Sequence, residues 1–414
     1  MQLVLKNIKQ LVTVAGNGKR WKSGADMREV GVLEHATVLI EDGTIRWVGA
    51  DQRFHANLHE DVHIIDASEL VALPGFVDAH THLVFAGSRE NEFAMRAEGK
   101  TYQQIAEQGG GILSTVTATR AATKKDLKKL ASRHLDAMLQ HGTTTVEIKS
   151  GYGLEPDAEI KMMEAINELG KEHFMTVVPT FLGAHAVPPE YKSNPDTYVE
   201  LVCERMLPYI AKRNMARFCD VFCETGYFSV AQSNTILAKA RSLGIELKLH
   251  ADELAPSGGS KLAGELRAVS ADHLEHIDDG GIQSLLAGGV VGVLLPGVSF
   301  FLNHQYAPAR KLIDAGVPVA ISTDFNPGSC MSFSMPMMMT LACTQMKMTP
   351  EEAIIACTLN GAAALKMSDT VGSIEVGKQA DIVLYHIPNY RYLAYHFGSN
   401  HVQTVIKRGV ILEF

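Results

Sequence analysis

The chain has 414 residues, 46% hydrophobic and 20% charged, with a formal net charge of -8. That balance excludes a disordered chain. The absence of a basic stripe argues against nucleic acid as a partner. The length suits one large domain with an appendage.

At the N-terminus, "MQLVLKNIKQLVTVAG" lacks a basic segment followed by a long apolar run. No signal peptide is expected, and the expected location is cytoplasmic. The six cysteines form no C-x-x-C pair and read as free thiols in a reducing compartment. Cys219 and Cys223 in "FCDVFC" share a strand face and read as core. Residues 1 to about 72 hold short strands, "QLVLKN", "HATVLIEDGTIRWVGA" and "VHIIDA", with "EDGTI" as a hairpin turn. "TKKDLKKLASRHLDAMLQHG" predicts a helix that opens with Thr123 and Asp126 at capping-box spacing and ends on Gly142.

From about Thr144, β-branched runs alternate with helical patterns. "TTTVEIK", "MTVVPTFLGAH", "CDVFCE", "IELKLHAD", "VGVLLPG" and "VPVAISTD" read as buried parallel strands. Met163, Ile166 and Leu169 predict a helix that Gly170 stops. "VVGVLLPGVSFFL" is too short and too broken by Pro and Gly to span a membrane. After about residue 371, "GSIEVGKQADIVLYH" and "VQTVIKRGVILEF" return to short strands. The middle predicts a (β/α)8 barrel or a doubly wound sheet, and no G-x-G-x-x-G supports the dinucleotide-binding form of the latter. The expected division is a composite β unit of residues 1–72 and 371–414 around a barrel of residues 73–370.

His80 and His82 in "PGFVDAHTHL" lie at i and i+2 on one strand face, with Asp78 behind them. Two neutral imidazoles on one face suit a transition metal. Further strand ends carry His185, Glu224, His250, His273 and Asp324. Burying such groups unpartnered is costly, so they should converge on something that satisfies them. His80, His82, His250 and Asp324 form a three-histidine, one-carboxylate set suited to one divalent ion, Zn²⁺ or Fe²⁺. Glu253, three residues after His250, is placed to act as a general base. His273 can bond the attacking hydroxide, polarise a carbonyl, add a fifth ligand or hold Asp324.

"PGFVDAHTHL", "HADE", "SADH" and "STD" in this order resemble the amidohydrolase superfamily. The resemblance implies a metal-bearing, TIM-like (β/α)8 barrel with a small β-sandwich built from both termini. It is closest to a branch defined by "HTHLVFAGSRENEF", "GGGILSTVTATRAA", "EIKSGYGLE", "TFLGAHAVPPEY", "HADELAPSGG" and "STDFNPGS", which run from residue 74 to about 330. That branch implies a small-molecule substrate, 4-imidazolone-5-propanoate, opened to N-formimidoyl-L-glutamate in histidine degradation. It also implies a homodimer. Its metal ligands fall on His80, His82, His250 and Asp324, and its substrate contacts on Arg89, Tyr152, His185, Glu253, Asn326, Gly328 and Ser329. Catalytic roles fall on Glu253, His273 and Asp324. Arg89 offers a planar fork for a carboxylate. A single metal is expected, with Lys149, on the second strand, as a local polar partner rather than a bridge between two ions.

Overall fold

The computed structural model describes residues 1–100, 104 and 109–413. Eight parallel strands follow one another around a ring in chain order: Phe76–Asp78, Thr143–Lys149, Thr176–Ala184, Phe218–Cys223, Glu246–Ala251, Ser270–His273, Val291–Leu294 and Val319–Ile321. Backbone just past the first and last strands closes the ring. Asp324 N donates to His80 O and His82 N donates to Phe325 O, each at 3.0 Å. The architecture is therefore a barrel and not an open doubly wound sheet. Its strands are buried on both faces, as in Thr143–Lys149, because helices cover the outside.

The helix Lys124–Gln140 turns Leu127, Ala131, Leu135 and Met138 onto the barrel. Only half of the expected capping box forms at its start. Thr123 Oγ1 accepts from Asp126 N, but the Asp126 carboxylate accepts from the Thr123 hydroxyl. Aspartate is one methylene shorter than the glutamate that normally reaches back to the cap N–H. The helix Pro156–Glu172 runs two residues beyond the expected stop at Gly170. Gly170 is not among the glycines with positive φ, so it does not form the left-handed cap that would end the helix, and a side chain there would make only ordinary contact with Val177 at 3.4 Å.

Both chain ends contribute to a second, eight-stranded sheet. Its central strand Gln2–Val12 lies between Val32–Glu41 and Val71–Pro74, and the last strands Ile382–Tyr385, Val402–Lys407 and Val410–Leu412 extend it. Leu5, Ile8, Val38, Ile40, Ile382 and Ile406 form its own core. The hairpin turn at Asp42 and Gly43 has φ of 47° and 76°, the left-handed pair that a tight two-residue turn requires. Among the described residues no helix is long and apolar enough to cross a membrane, and the six cysteines are free.

Candidate metal centre and substrate pocket

The interior of such a barrel is normally filled with apolar side chains. Here one layer is charged: Glu147, Lys149, Asp220, Lys248 and Asp272 are all 0% exposed. Lys149 Nζ lies 2.7 Å from Asp220 Oδ2, 2.8 Å from Glu147 Oε2 and 3.5 Å from Asp272 Oδ2. Lys248 Nζ contacts Glu147 Oε1 at 3.0 Å and donates to Ala79 O at 2.8 Å. The attraction of opposite charges at low dielectric holds this layer together.

Directly above it stand the histidines. The first barrel strand ends at Asp78, so His80 and His82 lie just past it on extended backbone, held by the ring-closing bonds. The Asp78 carboxylate accepts from Thr323 N at 3.1 Å and Thr323 Oγ1 at 2.6 Å, which locks the two ends of the ring beside Asp324. His80 Nδ1 bonds Asp272 Oδ2 at 2.6 Å, and His250 Nδ1 lies 3.0 Å from Asp220 Oδ2. Each carboxylate fixes the proton on Nδ1 and turns Nε2 toward the barrel mouth. There His80 Nε2 lies 3.4 Å and His82 Nε2 3.3 Å from Asp324 Oδ1, and His250 Nε2 lies 3.4 Å from His82 Nε2.

His80 Nε2 and Asp324 Oδ1 are buried and accept no hydrogen bond. Lone pairs packed together without a donor are expensive, and a cation is the group that satisfies them. The residues present thus fit a divalent ion. Burial holds His80 and His82 well below the usual histidine range, so both are in the neutral form that coordinates. Burial also disfavours charge on His250, but the adjoining Asp220 outweighs it and raises the pKa. Burial pushes Asp324 up to about 7. Lys149 is engaged by three carboxylates, which leaves its amine protonated and unavailable as a bridge between two metals.

A cavity of about 460 Å³ opens above this cluster, within the range of small-ligand pockets. Arg89, Tyr152, His185, Glu253, Asn326, Gly328 and Ser329 all line it, as does His273. Burial pushes Glu253 up to about 8. Its loop is pinned by Glu224, whose carboxylate accepts from Leu254 N at 2.9 Å and Thr225 N at 2.7 Å. His185 bonds Gly151 O through Nδ1 at 3.0 Å and stacks on His82 with ring centroids 4.9 Å apart. Two expected contacts are partly engaged within the protein. Arg89 donates through Nε and Nη2 to Glu92 Oε2 at 2.9 and 2.7 Å, which leaves Nη1 on the pocket side beside Gly328. A Cβ at Gly328 would sit 2.2 Å from that Nη1, so a larger residue there would displace the Arg89 guanidinium. The Asn326 side chain accepts from Gly328 N and Ser329 N and donates to Ser329 Oγ, folding the 326–329 loop on itself.

Sequence reading passed over Asp220, Asp272, Glu147 and Lys248, the support of the histidines, and also Asp252 and Arg96. Asp252 accepts from Gly258 N, Gly259 N and Ser260 N, and so caps the helix that follows the His250 strand. The available signal was spacing. Asp78/His80, Glu147/Lys149 and Lys248/His250 are i, i+2 pairs of charged residues or histidines at, or just past, the ends of barrel strands.

Imidazoles and one carboxylate converging at the C-terminal mouth of a (β/α)8 barrel are the donor set of a metal-assisted barrel enzyme. The amidohydrolase family model matches residues 71–412. An imidazolonepropionase of Alkaliphilus oremlandii is 49% identical over 99% of this chain and 97% of its own. One from Shouchella clausii is 50% identical over 99% and 92%. The chain belongs to the amidohydrolase family, and within it to the imidazolonepropionases. Among solved structures, a triazine hydrolase variant superposes with a TM-score of 0.76 at 18% identity over 99% of this chain and 94% of that one. An adenosine deaminase from Xanthomonas campestris with bound zinc superposes with a TM-score of 0.73 at 20% identity over 99% and 92%. These two share the fold.

Proposed function

We propose that this protein hydrolyses the cyclic amide of 4-imidazolone-5-propanoate to N-formimidoyl-L-glutamate, a step of histidine degradation. The observation that carries the reading is the placement of Glu253 beside the histidine cluster, in a pocket that also presents Arg89. His80, His82, His250 and Asp324 would hold one divalent ion, zinc or iron. When bound, that ion acidifies a water toward a pKa of ~7 and polarises the carbonyl. Residues 73–370 serve as the catalytic barrel, and residues 1–72 with 371–414 as the composite β unit.

Glu253 takes a proton from the attacking water as oxygen adds to the ring carbonyl carbon. Burial raises the affinity of Glu253 for a proton, which favours holding the one it takes until it is returned. It delivers that proton to the departing ring nitrogen as the C–N bond breaks. His273 Nε2, 3.5 Å from Glu253 Oε2, donates to the carbonyl oxygen as negative charge builds there. Arg89 Nη1, with the backbone at Gly328 and Ser329, receives the propanoate. Tyr152 and His185 form the wall beside His82.

The test is turnover of freshly made 4-imidazolone-5-propanoate, with metal content measured on the same sample. Formation of N-formimidoylglutamate without ammonia supports the reading. Metal-replete protein that forms none overturns it, and ammonia release from an aminated ring would make the protein a deaminase. Arg89→Ala is expected to raise KM by roughly 10- to 100-fold, the worth of a charged hydrogen bond, with a smaller change in kcat. A fall in kcat alone would remove Arg89 from carboxylate binding.

Metal removal should cost more stability at higher pH. Without a cation, folded Asp324 and Glu253 keep their protons up to about 7 and about 8, whereas unfolded carboxyls release them near 3.8 and 4.5. Raised carboxyl pKa values favour the folded state at low pH, and this advantage is lost as pH rises through the folded values. A bound cation pulls the proton off Asp324 and removes that loss. The gap in Tm between metal-loaded and chelated protein should therefore widen from pH 6 to pH 8. A constant or narrowing gap would count against Asp324 as a ligand.

A further inference from the structure

Glu275 is a buried acid without an assigned task. It is 5% exposed, and neither carboxylate oxygen has a hydrogen-bond partner. Its charged surroundings are mostly acidic, with Glu253, Asp324 and Glu224 all raising its pKa beyond the effect of burial. Among the described residues its only ion-pair neighbour is His273, whose Nδ1 lies 3.7 Å from Glu275 Oε2. On the opposite edge of the same ring, Nε2 lies 3.5 Å from Glu253 Oε2. The imidazole thus stands between a pocket acid and a buried one.

The backbone is bent to make this arrangement. His273 and Leu274 have φ of 78° and 71°, two consecutive left-handed residues without glycine. Such a conformation persists only where the surroundings enforce it, and it clusters at functional sites. Leu274 N bonds Ala251 O at 3.1 Å and His276 N bonds Asp252 O at 2.8 Å, which fixes the turn to the His250 strand. Gln305 Nε2 donates to Glu275 O at 2.6 Å. The turn swings His273 to the barrel mouth and brings Glu275, two residues on, behind it.

We propose that Glu275 is a positioning residue for the hydrolysis: its carboxyl engages Nδ1 of His273 and so aims Nε2 at the substrate carbonyl. This rests on the reaction assigned above. A shift of a few tenths of an ångström closes the 3.7 Å contact to a hydrogen bond. A protonated Glu275 carboxyl donates to the Nδ1 lone pair, which leaves the single proton of the neutral ring on Nε2, the edge that donates to the carbonyl oxygen. An acid side chain likewise sets the tautomer and orientation of the imidazole in hydrolytic triads, with the opposite ring edge protonated. No bond to the substrate is made by Glu275 itself.

The test uses zinc-loaded protein labelled with ¹⁵N-histidine, with the His273 ring assigned through His273→Asn. Glu275→Leu, which cannot donate to Nδ1, should shift the His273 Nδ1 resonance and lower kcat by between about tenfold and 10²-fold, the scale of a misaimed group. Its KM and zinc content should stay at the wild-type level, and Glu275→Asp should recover part of kcat. An unmoved Nδ1 resonance in both variants overturns the proposal. So does a kcat loss that merely follows lost zinc. If wild-type protein does not turn over the imidazolone, the assigned reaction fails, and the resonance alone still decides whether Glu275 engages His273.

Discussion

Replacing Glu253 with Gln is expected to lower kcat by about 10²- to 10⁴-fold, the usual contribution of a positioned acid–base group. The fold and the metal content should be unchanged. Gln keeps the size of the side chain and can still donate a hydrogen bond, but it cannot take the proton from water. The backbone that presents residue 253 is held by Glu224 through Leu254 N at 2.9 Å, not by the Glu253 carboxylate, so the loop should keep its course. Steady-state kinetics, metal analysis and a melting curve on one preparation check all three parts. Near-wild-type turnover would move the general base to another residue.

Lys149→Met is expected to be the most damaging single change to stability, at about 3–5 kcal/mol. The lysine is 0% exposed and lies within 3.5 Å of three carboxylates. Its removal leaves Glu147, Asp220 and Asp272 to share Lys248 as the remaining cation of the layer. Asp272 and Asp220 also orient His80 and His250, so strain there passes upward into the metal ligands. Metal affinity should fall by roughly 10- to 100-fold, as when supporting hydrogen bonds of ligands are lost. Urea unfolding of the metal-free protein separates the two effects. A variant within about 1 kcal/mol of wild type that keeps its metal would show that the charged layer is not the support described.

These two residues also show how unevenly the site is written in the chain. "HTH", "HADE" and "STD" stand at strand ends, where a polar residue interrupts an apolar run and is visible in one dimension. Lys149 stands out as a charge at the end of "TTTVEIK", but its partners come from strands near residues 220 and 272. No local pattern announces that three carboxylates from three strands will meet one amine. Glu275 is harder still, because two left-handed residues break the strand alternation just before it.

By itself the sequence determined the repeated strand–helix order, the β-rich ends and the identity of the polar strand ends. Each depends on periodicity or on residue type within a few positions. Tertiary structure decided that the strands close into a ring, since closure depends on bonds between residues near 80 and residues near 324. It also decided that Arg89 spends two of its nitrogens on Glu92, and that Asn326 folds its own loop. Burial and partner geometry set pKa values and orient imidazoles, and both come from chain segments far apart in sequence.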